Sequence, residues 1–236
     1  MKLFCCFTPA HKVLFETVFA PSVPEGFSLQ SEAIELAGDG DFLSPEFLSC
    51  INRKIDLVLK SLRANPREVI VWADIDIRFL SLSTADLVLE LGDHDVAFQR
   101  EGKIGDYVNT GFFVCRGNER VISFFQRVVA GLQENPNANE QYVVNQLLCD
   151  EPRISWTHLP LRYYARTHGW PPPKNLALYH ANATMGRAGV ARKLQQFRDL
   201  DLLRRLPILG LAITSIKFAP KRIKRLLNEG RRTSGR

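Results

Sequence analysis

The sequence predicts an α/β fold, an open and mostly parallel mixed sheet with helices packed against it. Three observations carry that prediction. The run Val69–Ala73 is apolar without interruption, as in a strand covered on both faces. Amphipathic helical patterns alternate with such strands, which supplies the crossovers that parallel strands need. The central run ends in Asp74-Ile75-Asp76, at the strand edge where open α/β sheets bind ligands. Side chains alternate along extended backbone, so both acids are expected on one side. Two like charges that close repel, and a cation between them relieves the repulsion.

The remaining elements follow in chain order. Leu3-Phe4-Cys5-Cys6-Phe7 reads as a first strand leaving at Thr8-Pro9, and Thr8 is a candidate donor-site hydroxyl at that exit. Gly38-Asp39-Gly40-Asp41 marks a loop. Ser44 and Pro45 open a helix as N-cap and first-turn proline. Its apolar face is Phe47, Ile51, Ile55, Val58 and Leu62, with Arg53 and Lys54 beside it. Asn65-Pro66 ends that helix and leads into the acidic strand. Ser83-Thr84-Ala85-Asp86 reads as a helix start for Leu87 to Leu91, and Asp95 to Gln99 as a strand followed by Arg100 and a glycine-bearing loop.

Asn109-Thr110-Gly111-Phe112-Phe113-Val114-Cys115 is a further strand entered through polar residues. Asn118 caps a helix whose face is Val121, Phe125, Val128 and Leu132, and residues 139–148 form a shorter helix. The polar start of the latter, Asn139 to Gln141, stands where backbone amides favour anions. Residues 153–180 carry short strands broken by Pro160 and Pro171-Pro172-Pro173, and His180 closes the last of them. His180 fits either a structural histidine or a third ligand beside the two carboxylates.

Composition bounds the function classes. The chain has 236 residues, 45% hydrophobic and 24% charged, enough for one large domain with a small appendage. Of the net charge of +6, residues 217–236 carry +7, leaving −1 for the body. A nucleic-acid-binding body is not expected from that distribution. Five cysteines at 5, 6, 50, 115 and 149 show no metal-site spacing. The apolar start, Leu3 to Phe7, is too short for a signal-peptide core. A reducing, cytoplasmic location is the expectation.

Taken in order, Asp74-Ile75-Asp76, Asn109-Thr110-Gly111-Phe112-Phe113-Val114, Glu140-Gln141 with Asn145, and His180 resemble the nucleotide-diphospho-sugar transferase family. These are GT-A, Rossmann-like glycosyltransferases, related to the glycogenin and lipopolysaccharide-galactosyltransferase group. The resemblance runs from about Leu3 to about Lys193. It implies a catalytic domain over 1–205, and composition alone adds a basic amphipathic tail over 206–236. It also implies that Asp74, Asp76 and His180 ligate Mn2+ or Mg2+, with Asp74 also near the ribose. Lys54, Arg100, Asn109, Gly111, Gly186 and Lys193 would border the donor, a UDP-sugar, and Glu140 and Gln141 would face the reacting sugar as catalytic residues. Glu140 replaces the family's Asp. Retention of anomeric configuration is implied, with a saccharide or lipid-linked acceptor.

Two other readings remain open at this level. A haloacid-dehalogenase-like phosphatase also uses a strand ending in D-x-D, and Gly92-Asp93-His94-Asp95 could serve it as a later acidic motif. Such enzymes open on that strand, whereas here 73 residues precede Asp74, and Arg78 stands where they carry Thr or Val. The other reading is a non-catalytic protein binding nucleotide sugars or a membrane surface. The tail motivates the membrane element. Leu206 to Ile216 is apolar but too short to span a bilayer. Ile223, Leu226 and Leu227 then alternate with basic residues, as in a helix lying on an anionic membrane.

Overall fold

The computed structural model of the protein describes residues 1–35, 44–102, 105–150, 153–163, 175–181, 189–217 and 219. The loop expected at 38–41, the prolines at 171–173, Gly186 and the basic stretch from 220 onward lie outside these residues. Eight strands are described: β1 Lys2–Phe7, β2 Ser28–Ala33, β3 Val69–Ala73, β4 Ile77–Phe79, β5 Val96–Arg100, β6 Val108–Arg116, β7 Trp156–His158 and β8 Leu178–His180. Six form the main sheet in the order β2-β1-β3-β6-β5-β7. β1 runs parallel to β2 and β3, and β5 parallel to β7, while β6 is antiparallel to both neighbours. This is the mixed, mostly parallel α/β architecture expected from the sequence.

Alternation along β3 explains why its run is apolar throughout. Val71 and Ala73 join one core with Leu3, Cys5, Phe112 and Phe197. Ile70 and Trp72 join the other, with Ile55, Val58, Phe113 and Phe125. The second core is closed by the helices Pro45–Ala64 and Glu119–Glu134. Both start at the expected caps: the Ser44 hydroxyl accepts from Phe47 N at 3.2 Å, and Asn118 Oδ1 accepts from Val121 N at 2.9 Å. The helices Thr84–Leu91 and Glu140–Asp150 also fall where the pattern put them.

Two strands were not read from the pattern, β2 and the three-residue β4. β2, Ser-Leu-Gln-Ser-Glu-Ala, lies at the sheet edge, and none of its residues is fully buried. Of its apolar side chains Leu29 packs against a core, and one such contact makes no alternation to read.

β4 and β8 form a separate antiparallel pair in which Ile77 stands opposite His180. The helix Gly189–Arg205 follows, and helical backbone resumes over 207–217. Gly210 seats this last helix, because a Cβ there would lie 2.6 Å from Leu203 Cα.

Candidate active site

The site is built at the carboxyl end of β3. The strand itself stops at Ala73, and Asp76 sits in a turn. Strand alternation therefore does not aim both acids; the turn and its neighbours do. Asp74 N donates to Gly111 O on β6 at 2.7 Å, and Asp76 O accepts from Ala181 N at 2.8 Å, just beyond β8. Pairing of β4 with β8 sets His180 beside the turn. Asp74, Asp76 and His180 consequently offer ligand atoms that all lie within 4.8 Å of one another.

β6 makes room for this convergence. Along β5 the partners step from Phe113, opposite Phe98, to Asn109, opposite Gln99, so Thr110, Gly111 and Phe112 bulge away from β5. Gly111 is required there by close approach. A Cβ would meet His180 Cε1 at 2.4 Å, Asn109 Oδ1 at 2.9 Å and Asp74 Oδ2 at 3.1 Å. Asn109 Oδ1 in turn accepts from Gly111 N at 2.8 Å, fixing the bend.

Two lysines meet the acids from opposite faces of the sheet. Lys54 reaches from the helix Pro45–Ala64, its side chain only 7% exposed. Its ammonium lies 2.9 Å from Asp74 Oδ1 and 2.9 Å from Glu140 Oε1, and donates to Thr110 O at 3.1 Å. Burial works against that ammonium, yet Asp74 and Glu140 outweigh it and raise its pKa. Burial likewise opposes charge on Glu140, but Lys54 holds its carboxyl below the usual range. Lys193, from the helix Gly189–Arg205, lies 2.7 Å from Asp76 Oδ2. His180 Nε2 is 3.2 Å from Asp76 Oδ1. Burial would raise Asp76, but Lys193, and His180 when its ring is protonated, hold it well below the ordinary carboxylate range. Asp74, with a third of its side chain exposed, is pushed up by burial and by its acidic neighbours against Lys54.

The cluster thus sets three carboxylates against two ammonium groups. One negative charge is left over at a spot ringed by two carboxylates and an imidazole. That donor set fits a divalent cation, with the nitrogen favouring Mn2+ over Mg2+.

The expected site residues divide as follows. Lys54, Asp74, Asp76, Asn109, Gly111, Glu140, His180 and Lys193 come together. Gln141 adjoins them, its Oε1 3.4 Å from Thr110 N and its Nε2 3.4 Å from Glu101 Oε2. Thr8 is taken up locally by a 2.9 Å hydrogen bond to His11 Nδ1. Arg100 donates to Gly105 O at 3.4 Å on its own loop. Gly186 lies outside the described residues. Glu140 is 7% exposed and its Oε1 is committed to Lys54 and Thr110, so of the expected pair only Gln141 is half-open to a substrate.

Three neighbours were missed. Trp72 Nε1–H donates to Asp74 Oδ1 at 2.9 Å. His11, its pKa lowered by burial and then by Lys193, lies close enough to feel Asp76. Gln99 meets His180 Nδ1 at 2.8 Å. The one available signal for Gln99 was a polar residue ending an apolar run.

Comparison with known proteins agrees with this geometry. A glycosyltransferase involved in the glycosylation of the major capsid of PBCV-1 superposes with a TM-score of 0.60 at 18% identity, covering 82% of this chain and 97% of that one. The glycosyltransferase GlyE of Streptococcus pneumoniae TIGR4 superposes at 0.57 and 12% identity, over 77% of this chain and 54% of that one. At these identities the likeness establishes the fold, that of GT-A glycosyltransferases. An uncharacterized Arabidopsis thaliana protein is 28% identical over 117 residues, 50% of this chain. The match spans about a third of that relative, 35% of its length. The family model for nucleotide-diphospho-sugar transferases matches residues 23–197, most of the chain. The chain belongs to the nucleotide-diphospho-sugar transferase family.

Proposed function

We propose that the protein is a hexosyl- or pentosyltransferase that moves a sugar from a nucleoside-diphosphate donor, a UDP-sugar, to a saccharide or lipid-linked acceptor with retention of configuration. The supporting observation is the convergence of Asp74, Asp76 and His180 within 4.8 Å at the sheet's carboxyl edge, in a chain of this family. Residues 1–205 would carry catalysis.

Asp74, Asp76 and His180 would hold Mn2+. Bound there, the ion would supply Lewis-acid charge for the diphosphate as it departs. The chain's own groups do the rest. Lys193, 2.7 Å from Asp76 Oδ2, would yield that carboxylate to a cation and could turn to phosphate oxygens. Gly111, having no Cβ, lets His180 and Asp74 close in on its backbone and so keeps the ligand atoms together. Lys54 keeps Glu140 ionised, and Glu140 accepts from the Thr110 hydroxyl at 3.1 Å. This holds the strand on which Gln141 rests, and the Gln141 amide is the group aimed at charge developing on the sugar.

A panel of nucleotide sugars, assayed for transfer and hydrolysis with Mn2+ and with chelator, tests the reading. Metal-dependent turnover of one donor with retained configuration is expected. Turnover unaffected by chelator would overturn the metal role, and phosphate release from simple phosphomonoesters would favour a phosphatase.

A specific observation supports a membrane-facing role for the C-terminal region. Among the described residues no helix is long and apolar enough to cross a membrane. The helix over 207–217 nonetheless leaves Ile208 88% and Ile216 75% exposed, with Leu206, Leu209, Leu211 and Ile213 also open. The +7 charge from 217 onward matches an anionic lipid surface, at ~1 kcal/mol per basic residue near it. We place this face on the cytoplasmic side of a membrane, a compartment that suits five free thiols. Ile208→Glu with Ile216→Glu should abolish sedimentation with anionic vesicles and leave donor turnover in solution unchanged. Equal sedimentation would remove the membrane role.

A further inference from the structure

We infer that Gln99 is a positioning residue that fixes the tautomer of His180, turning the Nε2 lone pair toward Asp76 and the cation site. This rests on the metal reading above and adds a residue outside the ligand set. Gln99 is 1% exposed and lies at the bulge between β5 and β6. Its Nε2 is 2.5 Å from Tyr163 O. A backbone carbonyl can only accept, so the amide nitrogen must face it. That orientation places Gln99 Oε1, also only an acceptor, 2.8 Å from His180 Nδ1. Nδ1 must therefore carry the proton. In neutral imidazole the other nitrogen is then unprotonated, and Nε2 faces Asp76 Oδ1 at 3.2 Å.

Two acceptors this close call for a positive partner between or beside them. The chain of constraint runs from Tyr163 O through the Gln99 amide to the ring. Each link leaves one choice for the next. A partner of this kind both orients a ligating histidine and raises its basicity.

The test reads the tautomer directly. Ring nitrogen-15 resonances of His180, identified by their loss in His180→Asn, are recorded on metal-free protein in alkaline solution. Protonated Nδ1 with unprotonated Nε2 is expected, and the reverse assignment overturns the inference. Mn2+ affinity is then measured by electron paramagnetic resonance for two variants. Gln99→Leu removes both contacts and should weaken Mn2+ by ~10–100-fold. Gln99→Glu keeps an acceptor toward Nδ1 but cannot donate to Tyr163 O when ionised, and should stay within a few-fold of wild type. If Gln99 merely anchored Tyr163, Gln99→Glu would bind as poorly as Gln99→Leu, which would overturn the assignment. Should Gln99→Leu fail to fold, the wild-type tautomer and Gln99→Glu still decide. Absence of Mn2+ binding by wild-type protein would sink the metal reading, while the tautomer would still stand or fall by its own resonances.

Discussion

The two lysines of the site do similar chemistry in different settings. Lys54 is 7% exposed, sits between Asp74 and Glu140, and also donates to Thr110 O. Lys193 is 18% exposed and has one acidic partner, Asp76, 11% exposed. The first is a charge triad, with Lys54 and Glu140 buried, whose members cannot be removed singly without stranding another charge. The second is a partly open pair that can be exchanged for a different cation. The site thus joins a fixed half to a replaceable half.

The largest expected effect lies on the replaceable half. Asp76→Asn should cost about three orders of magnitude in transfer, since losing several kcal/mol of charge stabilisation scales at 1.36 kcal/mol per tenfold. Its fold, measured by circular dichroism, should persist. Substantial turnover by this variant would show that Asp76 holds no ion.

Next comes the fixed half. Lys54→Met leaves Asp74 and Glu140 without their shared counter-charge and should destabilise by about 3–5 kcal/mol, read from denaturant unfolding. A loss below that of Lys193→Met would reverse the comparison. Gly111→Ala tests the seam between the halves. Its methyl would press on His180, Asn109 and Asp74, costing about 1–3 kcal/mol and weakening Mn2+ binding. Lys193→Met should cost least, on the order of 1 kcal/mol. Mn2+ binding to the free enzyme should tighten while donor binding weakens. Unchanged values for both would mean Lys193 competes with nothing.

Both halves respond to acid. Asp76 and Glu140 are held below their unfolded values. Their contributions are present above about pH 4 and are lost as pH falls through the folded values. Lys54 is raised, so its contribution is full below about pH 10 and fades only as pH rises beyond that. Asp76→Asn should therefore flatten the acid limb of a melting-temperature profile and leave the alkaline limb alone.

The residues of the cluster were legible because chemistry placed them where pattern ends. Asp74 and Asp76 follow an apolar strand, His180 closes another, and Lys54 stands at the edge of an amphipathic face. What the sequence hid depends on tertiary shape. Alternation could not aim the two acids, since the strand stops at Ala73 and a turn does the aiming. Gln99 takes its role from a bulge whose size is set by partners on β6. Thr8 and Arg100 carry suitable groups, and each makes a hydrogen bond to a residue near it in sequence, Thr8 to His11 and Arg100 to Gly105. Lys193 was named through the resemblance alone; it lies 13 positions beyond His180, and the helix Gly189–Arg205 brings it to Asp76.

The two hydrophobic cores on either face of the main sheet have a consequence for how the molecule holds together. Trp72 and the helix bearing Lys54 belong to one core, and Tyr179, Ala181 and Phe197 to the other. The acidic cluster is where these separately packed bodies meet. An ion seated there would act as a rivet through both, so its binding energy would be shared by segments on the two faces of the sheet. At a hundredfold excess over its dissociation constant such a ligand adds about 2.7 kcal/mol to folding. Amide exchange should then slow together near residues 51–58 and 178–181, on opposite sides of the sheet.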